Sequence, residues 1–152
     1  MSDLLIGVGN PVRGDDGVGC FVAEQASKAA PNLDVLISRG DPAELLDAWG
    51  GKRKVVIVDA CVSGATPGTL HRFDACAGPL PSVFGEVSTH GVDLGASVEM
   101  ARALDGLPSE LIIYGIEAVQ AAHGAPITPR VLEAAKSLSQ RILEEFTPQV
   151  ES

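Results

Sequence analysis

Gly7-Val8-Gly9-Asn10-Pro11-Val12-Arg13-Gly14-Asp15-Asp16-Gly17, directly behind the apolar run Leu4-Leu5-Ile6, decides the fold. An apolar run, a glycine turn and two adjacent carboxylates opening a helix describe the first strand-to-helix crossing of an α/β domain. Nucleotide-binding domains also place glycines here, but this chain follows them with negative charge. A helix N-terminus attracts phosphate through its partial positive charge, and Asp15 and Asp16 would repel that phosphate. A cation or a polarised water would be favoured instead, so the turn points toward metal or hydrolytic chemistry. The phosphate fingerprints are missing as well. GxGxxG fails because Val12 stands at its third glycine, and no GxxxxGK(S/T) loop or GxSxG elbow occurs.

Outward from this turn, short β-branched runs alternate with helical patterns, punctuated by Pro and Gly. Residues 3–8 read as the first strand and 16–30 as the first helix, with an apolar stripe at Val18, Phe21, Val22 and Ala26. Leu33–Ile37 is the second strand. Asp41-Pro42 reads as an N-cap followed by proline at the first helical position, opening a helix through Trp49. Lys54–Val58 is the most strand-like run and is expected to stop at Asp59. Residues 67–73 alternate weakly and suit an antiparallel edge strand, and 74–91 read as a long loop. Asp93 is expected to cap a helix to Leu104, Leu111–Ile116 to be a buried strand, and Thr128-Pro129 to open a last helix to Phe146, before a frayed tail at 147–152. The pattern predicts one domain over 1–152: a three-layer α/β/α fold with a doubly wound, mostly parallel five-stranded sheet and one antiparallel edge strand.

Composition narrows the function. Twenty acidic against 11 basic side chains give a net charge of −9, which opposes nucleic acid and anionic membrane and favours cations. Cys20, Cys61 and Cys76 are odd in number and form no CxxC pair, so a reducing, cytoplasmic setting is expected. The start MSDLLIGVGN has neither the basic region nor the long apolar stretch of a signal peptide, and no apolar run is long enough to span a membrane.

In doubly wound sheets ligands collect beyond the carboxyl ends of the strands, where strand order reverses. Asp15 and Asp16 follow the first strand, Asp59 ends the third, and His90 sits in the loop before the Asp93 helix. Two carboxylates and an imidazole from separate segments suit zinc, nickel, iron or manganese and leave a position open for water or substrate. Each residue also has a plainer role: an Asp at a helix start as a cap, His90 as a partner for a loop carbonyl. Cys61 reads as a small buried hydrophobe at a strand end, a cysteine nucleophile near His90 being the alternative. His71 and His123 stand in no pattern and read as surface or loop residues.

Taken in order, Gly7-Val8-Gly9-Asn10, Asp15-Asp16-Gly17-Val18-Gly19, Val56-Ile57-Val58-Asp59-Ala60, Ser88-Thr89-His90-Gly91 and Tyr114-Gly115-Ile116-Glu117 resemble the nickel-iron hydrogenase maturation proteases. Members of that family cut a short C-terminal extension from the hydrogenase large subunit once nickel has been inserted. The resemblance implies that Asp16, Asp59 and His90 are the metal-contacting and catalytic residues, with Asp16 chosen over Asp15. It makes Asn10 and Asp41 candidates for substrate binding. The divalent metal implied is nickel carried by the substrate, the partner a hydrogenase large-subunit precursor, and the protein a monomer. One stretch departs from the family: many members carry an acidic, glycine- and threonine-rich turn after the second strand, where this chain has Ser38-Arg39-Gly40-Asp41-Pro42. Two other readings compete. Peptidyl-tRNA hydrolase shares the Gly-x-Gly-Asn-Pro turn, against which the net charge argues. A non-catalytic nickel-binding assembly chaperone would use the same three ligands without cutting.

Overall fold

Three strands at the centre of the sheet are almost unbroken runs of buried residues: β1 (Asp3–Val8), β3 (Lys54–Cys61) and β5 (Glu110–Glu117). Parallel strands covered on both faces require this pattern. The computed structural model describes residues 3–81, 83, 94–119 and 121–146. The edges are β2 (Asp34–Ser38) and β4 (Leu70–Asp74), both only partly buried. Among the described residues the strand order is β2-β1-β3-β5-β4, with β4 antiparallel to β5 and every other pair parallel.

Side chains alternate across the sheet, and each face has its own core. Leu5, Val56, Val58, Ile112 and Ile116 pack under α1 (Val18–Ala29) and α4 (Pro129–Arg141). Ile6, Ile57, Leu111 and Ile113 pack under α2 (Pro42–Trp49) and α3 (Leu94–Ala103). Each fully buried aliphatic side chain contributes about 1.5–3 kcal/mol. The architecture is therefore the three-layer, mostly parallel arrangement expected from the alternation of patterns. From β1 the chain moves toward β2, whereas from β3 it moves toward β5 and β4. Strand order thus reverses between β1 and β3, and the crevice above their carboxyl ends is where such sheets bind ligands. No helix among the described residues is long and apolar enough to cross a membrane.

Local differences from the sequence reading have identifiable causes. The first helix does not start at 16: Gly14–Gly17 forms a 3-10 turn, and α1 begins at Val18. The second strand runs 34–38 rather than 33–37. β3 does not stop at Asp59; it continues to Cys61 because β5 pairs with it through Asp59↔Gly115, Ala60↔Ile116 and Cys61↔Glu117. The edge strand covers 70–74 rather than 67–73, since Gly68 sits at φ 88° in a turn closed by Thr69 N–H donating to Thr66 O. The last helix gives way at Ile142–Glu145 to a 3-10 turn. The Asp93 cap, half of the long loop and the tail lie outside the described residues.

Candidate active site

The glycines of the opening turn allow backbone to meet backbone. A Cβ on Gly9, whose φ is 140°, would lie 1.9 Å from the carbonyl oxygen of Asp16. One on Gly19 would lie 2.3 Å from Val58 O and 2.6 Å from Val8 O. No side chain fits in either place. The 3-10 turn therefore folds back onto Gly9, and the first turn of α1 packs directly onto the ends of β1 and β3, which carries Asp16 to the reversal of strand order. Its carboxylate is buried, 3% exposed, and Oδ2 accepts from the backbone N–H of Asn10 at 3.0 Å.

Asp59 reaches the same crevice from β3. It is 5% exposed, and its Oδ1 accepts from the N–H of Ala60 at 2.8 Å. Cys20, in the first turn of α1, is buried beside Gly9. Its thiol, which donates to Gly9 O at 3.6 Å, is pushed up to about 12, chiefly by burial and then by Glu24, Asp16 and Asp59, while Arg39 opposes them.

Asp15 and Asp16 are adjacent but do different things. Asp15 is fully buried and accepts three hydrogen bonds, from Val119 N–H at 2.7 Å, Thr128 N–H at 2.7 Å and Thr128 O–H at 2.9 Å. It pins the chain after β5 onto the first turn, a structural duty that leaves Asp16 as the carboxylate of the crevice. The other candidates lie around it. Asn10 is buried, and its Oδ1 accepts from Val12 N–H at 3.1 Å, shaping the turn. Asp41 caps α2 by accepting from Glu44 N–H at 3.3 Å and is exposed at the same sheet edge. Arg39-Gly40-Asp41-Pro42 is the turn and helix cap its sequence suggests, tied to α3 by Ser97 O–H donating to Gly40 O at 2.9 Å. His90 lies outside the described residues.

One group of side chains escaped the sequence reading. His71 is not a patternless surface residue: it stands on β4 opposite Gly115, and its Nε2 is 3.0 Å from Glu117 Oε1. Cys61, fully buried and paired in register with Glu117, has its Sγ 3.7 Å from the same oxygen. Burial, and then Glu117, push the Cys61 thiol up to about 12. Burial also pushes the Glu117 carboxyl up, but hydrogen bonds from Ser63 and His71 outweigh it and hold the group below its ordinary value. Glu117 was visible only as the end of a familiar Tyr-Gly-Ile-Glu run.

Comparison with known proteins decides the family. The model of the hydrogenase maturation protease family matches residues 23–145. The chain belongs to the hydrogenase maturation protease family. It is similar to the hydrogenase 3 maturation protease of Escherichia coli K12, 29% identical over 148 residues that cover 93% of this chain and 89% of the relative. Among solved structures, the endopeptidase HycI from Escherichia coli is 26% identical with a TM-score of 0.73, covering 97% of this chain and 92% of that one. The nickel-iron hydrogenase maturation protease HycI from Thermococcus kodakarensis is 28% identical with a TM-score of 0.71, covering 94% and 90%. The maturating endopeptidase HybD from Escherichia coli shares the fold at a TM-score of 0.78 over 96% and 92% of the two chains, at 22% identity. The protein is accordingly a hydrolase, an endopeptidase of hydrogenase maturation. Membership displaces both the peptidyl-tRNA hydrolase and the non-catalytic chaperone readings.

Proposed function

We propose that this endopeptidase removes the C-terminal extension of a nickel-iron hydrogenase large-subunit precursor after nickel insertion, reading the inserted nickel as its mark. The observation that carries the proposal is the pair of buried carboxylates, Asp16 and Asp59, delivered by different elements to the crevice between β1 and β3. Carboxylates joined by the imidazole of His90 make a mixed O/N donor set that suits nickel, and they supply only part of a coordination shell. A precursor carrying nickel completes that shell, so cutting depends on metal loading. Bound this way, the substrate's nickel polarises the scissile carbonyl or activates the attacking water.

Surface chemistry around the crevice is consistent with a peptide client. Val12, Ile37 and Val119 are exposed apolar residues, following β1, ending β2 and following β5, at the carboxyl edge of the sheet. Exposed apolar side chains grouped at one edge are suited to an extended protein segment. Asn10 and Asp41 border the same opening and are assigned to substrate contact. The three free cysteines fit a cytoplasmic reaction.

The test compares purified precursor with and without nickel. Shortening of the nickel-loaded form alone supports the proposal, and equal cutting of both forms removes nickel as the mark. His90→Ala tests the third ligand: full processing by that variant would take the imidazole out of the site.

A further inference from the structure

We propose that Cys61, His71 and Glu117 form a second metal site, distinct from the Asp16–Asp59 crevice, that takes a divalent borderline cation with zinc as the best fit. One donor comes from each of three strands: Cys61 from the end of β3, Glu117 from the end of β5 and His71 from β4. One potential ligand atom from each residue lies within 4.8 Å of the other two. Zinc bonds of about 2.0–2.3 Å to N, O and S imply tetrahedral edges of about 3.3–3.6 Å. The observed edges are 3.7 Å from Cys61 Sγ to Glu117 Oε1 and 3.0 Å from His71 Nε2 to Glu117 Oε1. Small side-chain adjustments would close the tripod around an ion.

The surroundings are those of a built site. Glu117 is 2% exposed, and its carboxylate meets the neutral Ser63, the Cys61 thiol and the titratable His71. Buried charges are paired or coordinate metals, and a divalent cation would neutralise this one. Ser63 holds the carboxylate in place, its N–H donating to Oε2 at 2.8 Å and its hydroxyl to Oε1 at 2.6 Å, as outer-shell groups orient metal ligands. The His71 ring stacks on Phe73 with centroids 6.1 Å apart, which fixes its direction. His71 is a quarter exposed, so the site has an entry path from solvent. Three protein ligands leave a fourth position for water.

A Ser-His-Glu relay does not account for this group. Such a relay needs the two imidazole nitrogens to face different partners, whereas Nε2 meets both Ser63 Oγ, at 3.5 Å, and Glu117 Oε1. The residues also lie one pleat from Asp59, which shares a strand and a face with Cys61. A metal here would tie edge strand β4 and the end of β5 to the strand that carries Asp59.

The test uses the full chain carrying Asp16→Asn, Asp59→Asn and His90→Ala, so that the crevice is silenced and the outcome is independent of the proposed substrate. Cobalt(II) is titrated as the spectroscopic probe. One equivalent should give the near-ultraviolet thiolate-to-metal absorption and the visible bands of a tetrahedral centre, both erased by added zinc. Cys61→Ser in the same background should abolish the thiolate band. Its absence before that substitution, or its survival afterwards, would overturn the proposal. His71→Ala, a change on a partly exposed edge strand, should keep the fold by circular dichroism and weaken zinc binding at least tenfold. Unchanged affinity in that folded variant would equally overturn the site.

Discussion

The Asp16–Asp59 crevice and the Cys61–His71–Glu117 group occupy the same sheet edge, two residues apart on β3, yet they are assembled differently. In the crevice the glycines let the 3-10 turn fold onto Gly9 and the start of α1 press against two strands, and the acidic side chains arrive from a parallel crossing. In the neighbouring group the donors meet across one parallel and one antiparallel pair: Glu117 stands opposite Cys61 on β3, and His71 on β4 stands opposite Gly115. Gly115, lacking a side chain, stands between Asp59 and His71 in the pairing. Carboxylates one pleat apart thus meet different partners: Glu117 is wrapped by the side chains of Cys61, Ser63 and His71, whereas Asp16 and Asp59 accept from the backbone N–H groups of Asn10 and Ala60 beside the reversal of strand order.

The largest effect that sharpens this contrast should come from Asp15, the carboxylate that anchors Val119 and Thr128 onto the first turn. Asp15→Ala leaves Val119 N–H, Thr128 N–H and Thr128 O–H without their acceptor, an expected loss of about 2–4 kcal/mol in chemical denaturation. The variant that remains folded should still process precursor. A stable but inactive Asp15→Ala protein would erase the distinction drawn between Asp15 and Asp16.

Glu145 provides a purely structural carboxylate for reference. It accepts from Tyr114 O–H and from Arg72, and pairs with Lys54 at 3.1 Å, and Arg72 above all holds its carboxyl at about 2. An unfolded glutamate titrates near about 4.3. Because the folded value is lower, Glu145 contributes stability above the unfolded value and loses it as pH falls from about 4.5 to 2. With Arg72 half exposed, Glu145→Gln should cost about 1–2 kcal/mol at neutral pH. That deficit should shrink in acid, measured by urea unfolding at several pH values. A pH-independent deficit would show that the cost is packing rather than charge. A smaller effect is expected at the rim: Val119→Ser should raise KM for the precursor a few-fold with kcat and stability unchanged. A change in kcat instead would place Val119 inside the reacting centre.

The legibility of these features in the sequence follows from the same contrast. Asp16 and Asp59 could be placed because each ends or follows a contiguous strand signal, and parallel crossings send such ends to one edge. The helix start was displaced because Gly14–Gly17 satisfies its backbone by a tighter 3-10 turn, which apolar spacing does not report. The end of β3 was placed two residues short because pairing with β5, a long-range event, extends it to Cys61. His71 and Glu117 were missed as partners for a related reason. The two lie 46 residues apart, and their proximity depends on the antiparallel register of β4 and β5. The resemblance singles out Asp16 over Asp15; the structural role of Asp15, holding Thr128 onto the first turn, is visible only in three dimensions.

One processing assay on nickel-loaded precursor distinguishes a crevice that cuts from its neighbour on β3, which does not. Asp59→Asn and Asp16→Asn preserve the shape of each side chain and an oxygen for its backbone donor while removing the charge. Each should lower processing about a hundredfold or more without loss of fold, whereas Cys61→Ser should process at a rate close to wild type. Full processing by Asp59→Asn, or its loss in a folded Cys61→Ser protein, would contradict the account.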